Sequence, residues 1–333
     1  MDRKYSIPCC SRNAKNAKGS QSRLATLKRN RRSKTPVFRI AWEFVELRMI
    51  LVTGASGNNG IELIKRLSSI GAPVRAMVRK RVDSANGKLP GVEFVTADFD
   101  EPSSICRALD GVERAFLVTN STERAEAQQL SFVRTARTAG LSHVVYVSQL
   151  HAAVNSPVRF LRYHAVVEDA ISSSGMAFTN LRPNLYMQGL LGFRSSILSE
   201  GCFFAPAGNA RVSIVDVRDI AAVAAAALTE GGHEGKTYDI TGPEALTHAE
   251  MAAKLSEALG REIMFVDVPE SAMRDMLLGF GIPAWQAEGL VEDYAHYRRG
   301  EASAVSSSVR EVTRRSPHSF AAFAYDYRQA FLK

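Results

Sequence analysis

A glycine-rich turn between an apolar strand and an amphipathic helix constrains the fold of this 333-residue chain more than any other feature. The turn is TGASGNNG, in which Gly54, Gly57 and Gly60 are spaced three residues apart. The aliphatic run MILV (Met49–Val52) precedes it, as expected for a buried parallel strand. After the turn, apolar residues recur on one helical face as far as Gly71, which suits a helix C-terminus. Since PVRAMV then has the pattern of a second strand, the segment predicts a strand–turn–helix–strand unit.

The spacing of the three glycines indicates what the turn holds. Gly54 permits a tight bend, Gly57 lets backbone N–H groups approach a phosphate, and Gly60 allows the helix to pack closely. The helix N-terminus adds positive potential at the same place. We therefore predict that the turn binds the pyrophosphate of a dinucleotide through Gly54, Ser56, Gly57, Asn58, Asn59 and Gly60. The alternative is a structural turn in an α/β protein that binds no nucleotide.

Cationic residues follow the second strand, at the place where a carboxylate would select NAD. In NAD-binding proteins an acidic residue about 20 residues past the glycines binds the ribose 2′-hydroxyl. Here Arg79, Lys80 and Arg81 occupy that place, and the first carboxylate is Asp83. Such cations pair with the 2′-phosphate of NADP, so we expect NADP(H) as cofactor and regard NAD(H) as less favoured. A solvated surface cluster without this role is the other interpretation.

Strand and helix patterns continue to alternate as far as residue 148. VEFVTADF reads as a strand, a helix begins near Pro102, a further strand runs towards Thr119, and HVVYVSQLHA contains another that ends at Ser148. This alternation predicts an α/β fold, a Rossmann-type doubly wound parallel sheet. Ligands of such sheets bind outside the carboxyl ends of the strands. One crevice is therefore expected to contain the glycine turn together with Arg79, Lys80, Asp98 and Phe99 (beside an adenine), Thr119, Asn120 and Ser148.

The formal net charge of +8 is unevenly distributed along the chain. Residues 1–48 carry +10, whereas residues 49–333 carry −2, so charge does not support nucleic-acid binding by the body of the protein. Segment 1–48 is rich in Lys, Arg, Ser and Asn, which predicts a disordered basic tail. Three interpretations of this tail stay open: a misassigned start with natural translation from Met49, an Arg-rich transit peptide, and a nucleic-acid-binding arm.

The cysteines and the apolar runs bear on the compartment. Neither Cys106 nor Cys202 has a neighbouring Cys or His at a metal-ligand spacing, and the four cysteines of the chain do not form the pattern of a disulfide scaffold. No metal site is expected. The longest apolar run, Ile220–Leu228, is far shorter than the ~20 residues of a membrane helix. We therefore expect a cytoplasmic protein that does not enter membranes.

Motifs spread over residues 49–333 match one known family as an ensemble. They are TGASGNNG, AMVRK, TADFDEPSSICRALDGV, FLVT, VVYVSQL, RYHAVVEDAISSSGMAFTNLRPNLYMQ, VDVRDIAAVAAAALTE and YDITGPEALTHAEMAAKLSEALG. Through them the chain resembles the NmrA-like branch of the atypical short-chain dehydrogenases/reductases, and within it the bacterial NAD(P)H quinone oxidoreductases and azoreductases. The resemblance implies a dinucleotide-binding core at 49–185 and a small, mostly helical substrate lobe at roughly 186–333.

The same resemblance bears on the catalytic residues. The wider superfamily uses a Ser with a Tyr-x-x-x-Lys pair, in which the Tyr exchanges a proton with the substrate. Here Ser148 is retained, but Phe160 stands in the Tyr position and His164 in the Lys position. Tyr163 lies about 100° round the helix from His164 and is a poor substitute. The resemblance thus implies Ser148 and His164 as the catalytic and cofactor-binding residues, with a structural core histidine as the alternative for His164.

The second half of the chain is expected to supply the other wall of the crevice. By resemblance, Pro183 and Asn184 contact the nicotinamide end, and Tyr186, Met187, Phe193 and Trp285 are candidates to line a substrate pocket, with ordinary core packing as the alternative. The preferred function is an NADPH-dependent oxidoreductase that passes hydride to a small quinone-like or azo acceptor. The alternative is a non-catalytic NADP(H)-sensing regulator with a protein partner. A homodimer is compatible with both.

Overall fold

The computed structural model describes residues 48–80 and 89–332. The predicted basic tail, apart from its last residue, and Arg81 lie outside these ranges. The strands of the described residues are β1 (Ile50–Val52), β2 (Val74–Val78), β3 (Val92–Thr96), β4 (Arg114–Leu117), β5 (His143–Val147), β6 (Ala177–Pro183), β7 (Cys202–Ala205), β8 (Lys236–Ile240) and β9 (Met264–Asp267).

Helices connect and cover these strands. They are α1 (Asn58–Ser69), α2 (Pro102–Ala108), α3 (Ala125–Ala139), α4 (Arg159–Ser172), α5 (Arg194–Glu200), α6 (Val217–Thr229), α7 (His248–Leu259), α8 (Glu270–Gly279), α9 (Ala284–Arg298), α10 (Ser308–Thr313) and α11 (Phe320–Asp326), with 3₁₀ turns at Met187–Phe193 and Arg328–Ala330. None of the helices within the described ranges has the length and apolarity that a membrane crossing requires.

Seven strands form one parallel sheet, in the order β3-β2-β1-β4-β5-β6-β8. Strand β1 pairs with β2 on one side and with β4 on the other, and Ile50 lies opposite both Val74 and Arg114. The chain therefore winds outwards in both directions from β1 and β4. This arrangement confirms the predicted doubly wound sheet, and it places the switch in strand order beside the glycine turn.

Both faces of the sheet are covered, which explains the continuous aliphatic character of the central strands. Every residue of β1 and of β5 is buried. On one face, Leu63 and Leu67 of α1 belong to the same apolar cluster as Ile220 of α6. On the other face, α2, α3 and α4 pack together, with Phe132 and Val167 in their common core. A strand buried on both faces has no need of the alternating polar residues of a half-exposed strand.

The chain after residue 185 contributes to the sheet as well as to the lobe. Strand β8 pairs in parallel with β6, and α6 packs against α1. The remainder forms the lobe, in which the two-stranded parallel sheet β7-β9 packs with helices such as α7 and α11. Part of the segment that the sequence analysis assigns to the lobe, β8 and α6, therefore belongs to the large sheet and its covering layer, and the functional division at residue 185 stays a prediction.

The glycine turn after β1 leaves no room for a side chain at two positions. Gly54 has a φ of +59°, and a Cβ atom there would lie 2.7 Å from Cγ1 of Val118. A Cβ atom at Gly60 would lie 2.2 Å from the carbonyl oxygen of Gly54 and 2.8 Å from Cα of Ala55. At Gly57 the nearest atom would be 3.4 Å away. The close approach expected at Gly60 is therefore present, although it is made with the turn itself.

Replacing Gly60 by Ala should consequently destabilise the protein by about 1–3 kcal/mol, because backbone atoms must move to admit the methyl group. Urea unfolding followed by circular dichroism measures this difference. The matched control is Gly57→Ala, in which the methyl group meets only a contact of 3.4 Å and the expected loss is under about 1 kcal/mol. Equal stability of the Gly60 variant and the wild type would contradict the packing described for the turn.

Candidate functional site

The predicted site residues lie at one edge of the sheet. They follow successive strands, with Gly54 after β1, Arg79 and Lys80 after β2, Asp98 and Phe99 after β3, Thr119 and Asn120 after β4, Ser148 after β5, and Pro183 and Asn184 at the end of β6. Because all these strands are parallel, their carboxyl ends share that edge. The residues that the sequence analysis expects in one crevice therefore share one edge of the sheet, and their role in binding stays a prediction.

Helix α1 begins at this edge, and no side chain accepts a hydrogen bond from the backbone N–H groups of its first turn. Its N-cap residue is Gly57, no side chain caps the helix, and its first turn contains no carboxylate. Among the described helices, α6, α7 and α11 are capped by side chains, and the others, like α1, are not. Four N–H groups at a helix start lack intrahelical partners, and they attract anions. The turn thus fits a pyrophosphate group, and a carboxylate or hydroxyl cap would compete with one.

Thr53 holds the turn against the neighbouring strand. Its Oγ1 atom lies 3.0 Å from the carbonyl oxygens of both Phe116 and Val118 and accepts the N–H of Val118 at 2.9 Å. Thr53 is fully buried, so these hydrogen bonds are not exchanged with water. The bend at Gly54 is in this way fixed to the end of β4, where Thr119 and Asn120 follow.

The residues after β2 and those after β3 differ in whether their side chains are free to contact a ligand. Arg79 and Lys80 are exposed, and neither forms an ion pair with any residue in the described ranges. The carboxylate of Asp98 accepts the backbone N–H of Asp100 at 2.9 Å, so it shapes its own loop. Phe99 is half-buried and packs on Phe132, with ring centroids 6.0 Å apart. The two cations are therefore free to pair with a phosphate.

Ser148 presents a buried hydroxyl that lacks a partner. Its backbone N–H donates to the carbonyl oxygen of Leu181 at 2.8 Å, which fixes the residue at the end of β5. Its Oγ atom is enclosed and has no hydrogen-bond partner among the described residues. Leaving a buried hydroxyl unpaired costs roughly 1–3 kcal/mol. The role of Ser148 in ligand binding stays a prediction.

His164 is held from two sides. Its Nδ1 atom lies 2.6 Å from the hydroxyl of Tyr146, and the ring of Tyr163 packs on it with centroids 4.2 Å apart. Burial lowers the pKa of His164 to about 3, so the imidazole is neutral at physiological pH. A neutral ring can accept a hydrogen bond, whereas a lysine ammonium in the same place can only donate.

The position expected to lack a proton donor does lack one. Phe160 is buried, and its ring packs on Trp285 with centroids 5.4 Å apart. Tyr163, three residues further along α4, carries a phenol, but its hydroxyl is engaged with Ser121 Oγ at 3.1 Å. Burial also raises the pKa of Tyr163, so this phenol does not ionise near neutral pH. Neither residue supplies the ionisable phenol that the usual triad requires.

Two candidate substrate residues lie next to the crevice. Tyr186 is half-buried, and its hydroxyl accepts a hydrogen bond from Asn59 Nδ2 at 3.2 Å, which links α1 to the chain after β6. Trp285 lines a cavity of about 230 Å³ together with Tyr163 and Thr122. A larger cavity of about 470 Å³ opens between α1, α6 and α10, away from the predicted site. Four charged side chains complete the lining of the smaller cavity (Glu123, Glu126, Arg159 and Arg162), and the substrate role of Trp285 stays a prediction.

Other predicted residues occupy structural positions. Met187 has no exposed surface and packs in the core of the lobe, so the expectation that it lines a pocket is corrected. Asn184 donates to Ser213 Oγ and to the carbonyl oxygen of Ala302, both at 2.8 Å, so its side chain is not available to a cofactor. Both residues lie just after β6, where the polypeptide enters the lobe. Phe193 packs against Phe203 and Phe204, and its role in a pocket stays a prediction.

Comparison with known proteins places these features in a family context. The sequence profile of the NmrA-like family matches residues 46–323. The NAD(P)H azoreductase of Xenophilus azovorans is 36% identical over 283 residues, which cover 85% of this chain and 99% of that protein. The predicted similarity to this class of reductase is thereby confirmed.

Solved structures agree. The NADPH-dependent quinone oxidoreductase QOR2 of Escherichia coli, complexed with NADPH, is 27% identical and has a TM-score of 0.75, and the alignment covers 84% of this chain and 99% of that chain. NmrA, a negative transcriptional regulator in complex with NADP, has a TM-score of 0.69 with 85% and 95% coverage, but at 18% identity it is similar in fold alone.

Sequence reasoning missed a buried carboxyl group in α9. Asp293 is 6% exposed, and its carboxylate accepts a hydrogen bond from Gln149 Nε2, next to Ser148, at 2.9 Å. Burial raises the pKa of Asp293 to about 7, against an ordinary value of 3.8. No motif marks this residue, because Gln149 and Asp293 are 144 positions apart in the chain. A buried acid with a raised pKa next to a crevice is a feature of functional sites.

The raised pKa of Asp293 makes stability depend on pH. The folded state binds this proton more tightly than the unfolded state, so the stabilisation is complete below about pH 4 and is lost as pH rises through about 7, by up to about 1.4 kcal/mol per unit. Asp293→Asn cannot ionise and keeps an acceptor for Gln149. We therefore expect its stability relative to wild type to increase between pH 5 and pH 7.5 in urea titrations. A difference that stays constant over this range would contradict the assignment.

Proposed function

This chain belongs to the NmrA-like family, and from that premise we propose that it is an NADPH-dependent oxidoreductase that transfers hydride to a quinone-like or azo acceptor. The azoreductase relative and the NADPH-bound quinone oxidoreductase support both the reaction class and the nature of the acceptor. The proposal concerns NADPH in particular, because the cations after β2 are suited to a 2′-phosphate.

The observation that carries the cofactor part of this proposal is the start of α1. This helix has neither a side-chain cap nor a carboxylate in its first turn, and Gly57 leaves its approach open. Its 12 residues give a helix dipole whose positive end points to the crevice. Arg79 and Lys80 would pair with the 2′-phosphate at the adenosine end. At the other end, the unpaired hydroxyl of Ser148 and the neutral ring of His164 would contact the nicotinamide riboside.

When bound, NADPH supplies the hydride, and the residues of the protein orient the reactants and exclude water. The cavity beside Tyr163 and Trp285, about 230 Å³, exceeds the roughly 150 Å³ that accommodates benzene in a protein core. A single aromatic ring would therefore fit between these side chains. Holding two reactants in this way can lower a barrier by about 7–11 kcal/mol.

The proton chemistry follows from the residues that are present. Phe160 has no proton to give, and the phenol of Tyr163 is engaged with Ser121 and resists ionisation. An electron-poor acceptor tolerates this arrangement, because water can protonate the oxygens or nitrogens of the reduced product. An alcohol–ketone reaction does not, since it needs a proton donor at the reacting oxygen.

A non-catalytic NADP(H)-sensing regulator is the second candidate. The missing proton donor favours it, because a cofactor site alone would satisfy that role. Such a protein would bind NADP through the same turn and would recognise a protein partner rather than an aromatic acceptor. The two candidates therefore make the same prediction for cofactor binding and opposite predictions for turnover.

Turnover is tested by following the loss of NADPH absorbance with a panel of quinones and azo dyes, using the full chain. We expect acceptor-dependent oxidation, and we expect Trp285→Ala to lower kcat/KM about 10-fold or more with little change in the affinity for NADPH, since the indole lines the acceptor cavity. If NADPH binds and no acceptor is reduced faster than in buffer, the regulator is the correct assignment.

Cofactor preference is tested by Arg79→Asp. Removing the guanidinium and adding a carboxylate should move the ratio of kcat/KM values from NADPH towards NADH by about 10-fold or more. The same change in charge at an exposed site of the lobe, Arg194→Asp, serves as control and should leave the ratio unchanged. An unaltered preference in the Arg79 variant would remove this residue from the cofactor site.

A further inference from the structure

A continuous chain of side-chain hydrogen bonds runs through the interior from Thr119 to His164. Gln129 Nε2 donates to Thr119 Oγ1 at 2.5 Å, and the hydroxyl of Tyr146 donates to Gln129 Oε1 at 2.7 Å. The same hydroxyl lies 2.6 Å from His164 Nδ1. Gln129 and Tyr146 are at most 1% exposed, so water does not compete for these bonds. The chain joins β4, α3, β5 and α4, and both of its ends are predicted cofactor residues.

The direction of each bond follows from the orientation of the Gln129 carboxamide, whose Nε2 faces Thr119 and whose Oε1 faces Tyr146. A carboxamide oxygen carries no hydrogen, so the bond between Gln129 and Tyr146 uses the single proton of the phenol. Tyr146 then has only lone pairs to offer His164, and the hydrogen of that bond must lie on Nδ1. The imidazole is neutral and holds one proton in total, so Nε2 carries a bare lone pair. Thr119 accepts from Gln129 and keeps its own hydroxyl hydrogen for donation.

We propose that this chain of hydrogen bonds fixes which atoms of the crevice donate and which accept. His164 Nε2 is then a hydrogen-bond acceptor and Thr119 Oγ1 a donor. Tyr146 and Gln129 act as positioning residues for the ligand. The ligand group that Nε2 recognises is a hydroxyl, as in a sugar. On the proposed function, on which this part rests, that sugar is the ribose at the nicotinamide end.

The two side chains at the ends of the hydrogen-bond chain, His164 and Thr119, have atoms free to contact a ligand. His164 Nε2 has no hydrogen-bond partner among the described residues, and protein atoms do not fully enclose it. The ring of Tyr163 packs on the face of this imidazole at a centroid distance of 4.2 Å, and the hydroxyl of Tyr146 holds its Nδ1 atom. Thr119 is half-buried at the end of β4. A lysine at position 164 would present only donors, so the site is complementary to a ligand hydroxyl in a sense opposite to the one expected from the superfamily pattern.

The polarity can be read directly in the wild-type protein. In ¹⁵N-labelled full-length chain, long-range ¹H–¹⁵N correlation distinguishes a protonated from a bare imidazole nitrogen, and comparison with His164→Gln identifies the resonances among the seven histidines. We expect Nδ1 protonated and Nε2 bare, with and without NADP⁺. Reversing the carboxamide of Gln129 would reverse every bond of the chain, so a proton on Nε2 would overturn the proposal. The measurement requires no turnover, and the variant serves only to assign the resonances of the wild type.

The role in ligand binding is tested with Tyr146→Phe, which removes the one hydroxyl that orients His164. Calorimetry should show NADP⁺ binding weakened about 2- to 10-fold, the value of one hydrogen bond. Binding of adenosine 2′,5′-bisphosphate, which lacks the nicotinamide riboside, should not change. Tyr163→Phe is the matched control, because it keeps the ring on His164 and removes a hydroxyl bonded to Ser121, and His164 should keep its tautomer.

The outcomes separate this inference from the proposed function. Unchanged NADP⁺ affinity in Tyr146→Phe, or equal weakening of NADP⁺ and the bisphosphate, would overturn the positioning role. If the wild type binds neither ligand, the proposed function fails and the ligand assignment fails with it, while the tautomer measurement still decides the polarity of the chain. If Tyr146→Phe does not fold, the wild-type spectrum decides alone.

Discussion

The contact between the glycine turn and the start of α1 is the interaction on which the rest of the site depends. Gly60 lies so close to the carbonyl oxygen of Gly54 that no β-carbon fits between them. This contact brings the uncapped N-terminus of the helix to the carboxyl end of β1. Thr53 then fixes the bend to β4, where the strand order changes direction. Packing alone thus brings the N–H groups of the first turn of α1, which no side chain caps, to the edge of the sheet where the strands end.

The two ends of the crevice are built on different principles. At the proposed adenosine end, Arg79 and Lys80 are exposed and have no ion-pair partner within the described residues, and their long side chains can move. At the proposed nicotinamide end, buried side chains are joined by hydrogen bonds from Thr119 through Gln129 and Tyr146 to His164. A mobile charge suits the 2′-phosphate, whereas a reacting ring needs a fixed position. Under the proposed function, the same division would explain why no phenol stands at position 160, because the site would orient the reactants and leave protonation to water.

Sequence predicted the fold and the glycine turn because both depend on local patterns. Strands of MILV type, glycines at fixed spacing and the cations at Arg79 and Lys80 are read within one short segment. Phe160 and His164 were placed by spacing on a single helix. The hydrogen-bond chain could not be predicted in this way, since Gln129, Tyr146 and His164 lie on three elements that only the folded sheet brings together. Met187 was misassigned because a buried and a pocket-lining methionine have the same sequence pattern.

The central claim is that the turn at Gly57, with Arg79 beside it, binds a dinucleotide that carries a 2′-phosphate. Isothermal titration of the full-length protein with NADP⁺ and with NADPH tests it most directly, and NAD⁺ serves as the comparison. The account predicts saturable binding of one NADP(H) per chain, with NAD⁺ bound more weakly. Absence of binding heat for both the oxidised and the reduced form across a range of temperatures would contradict it.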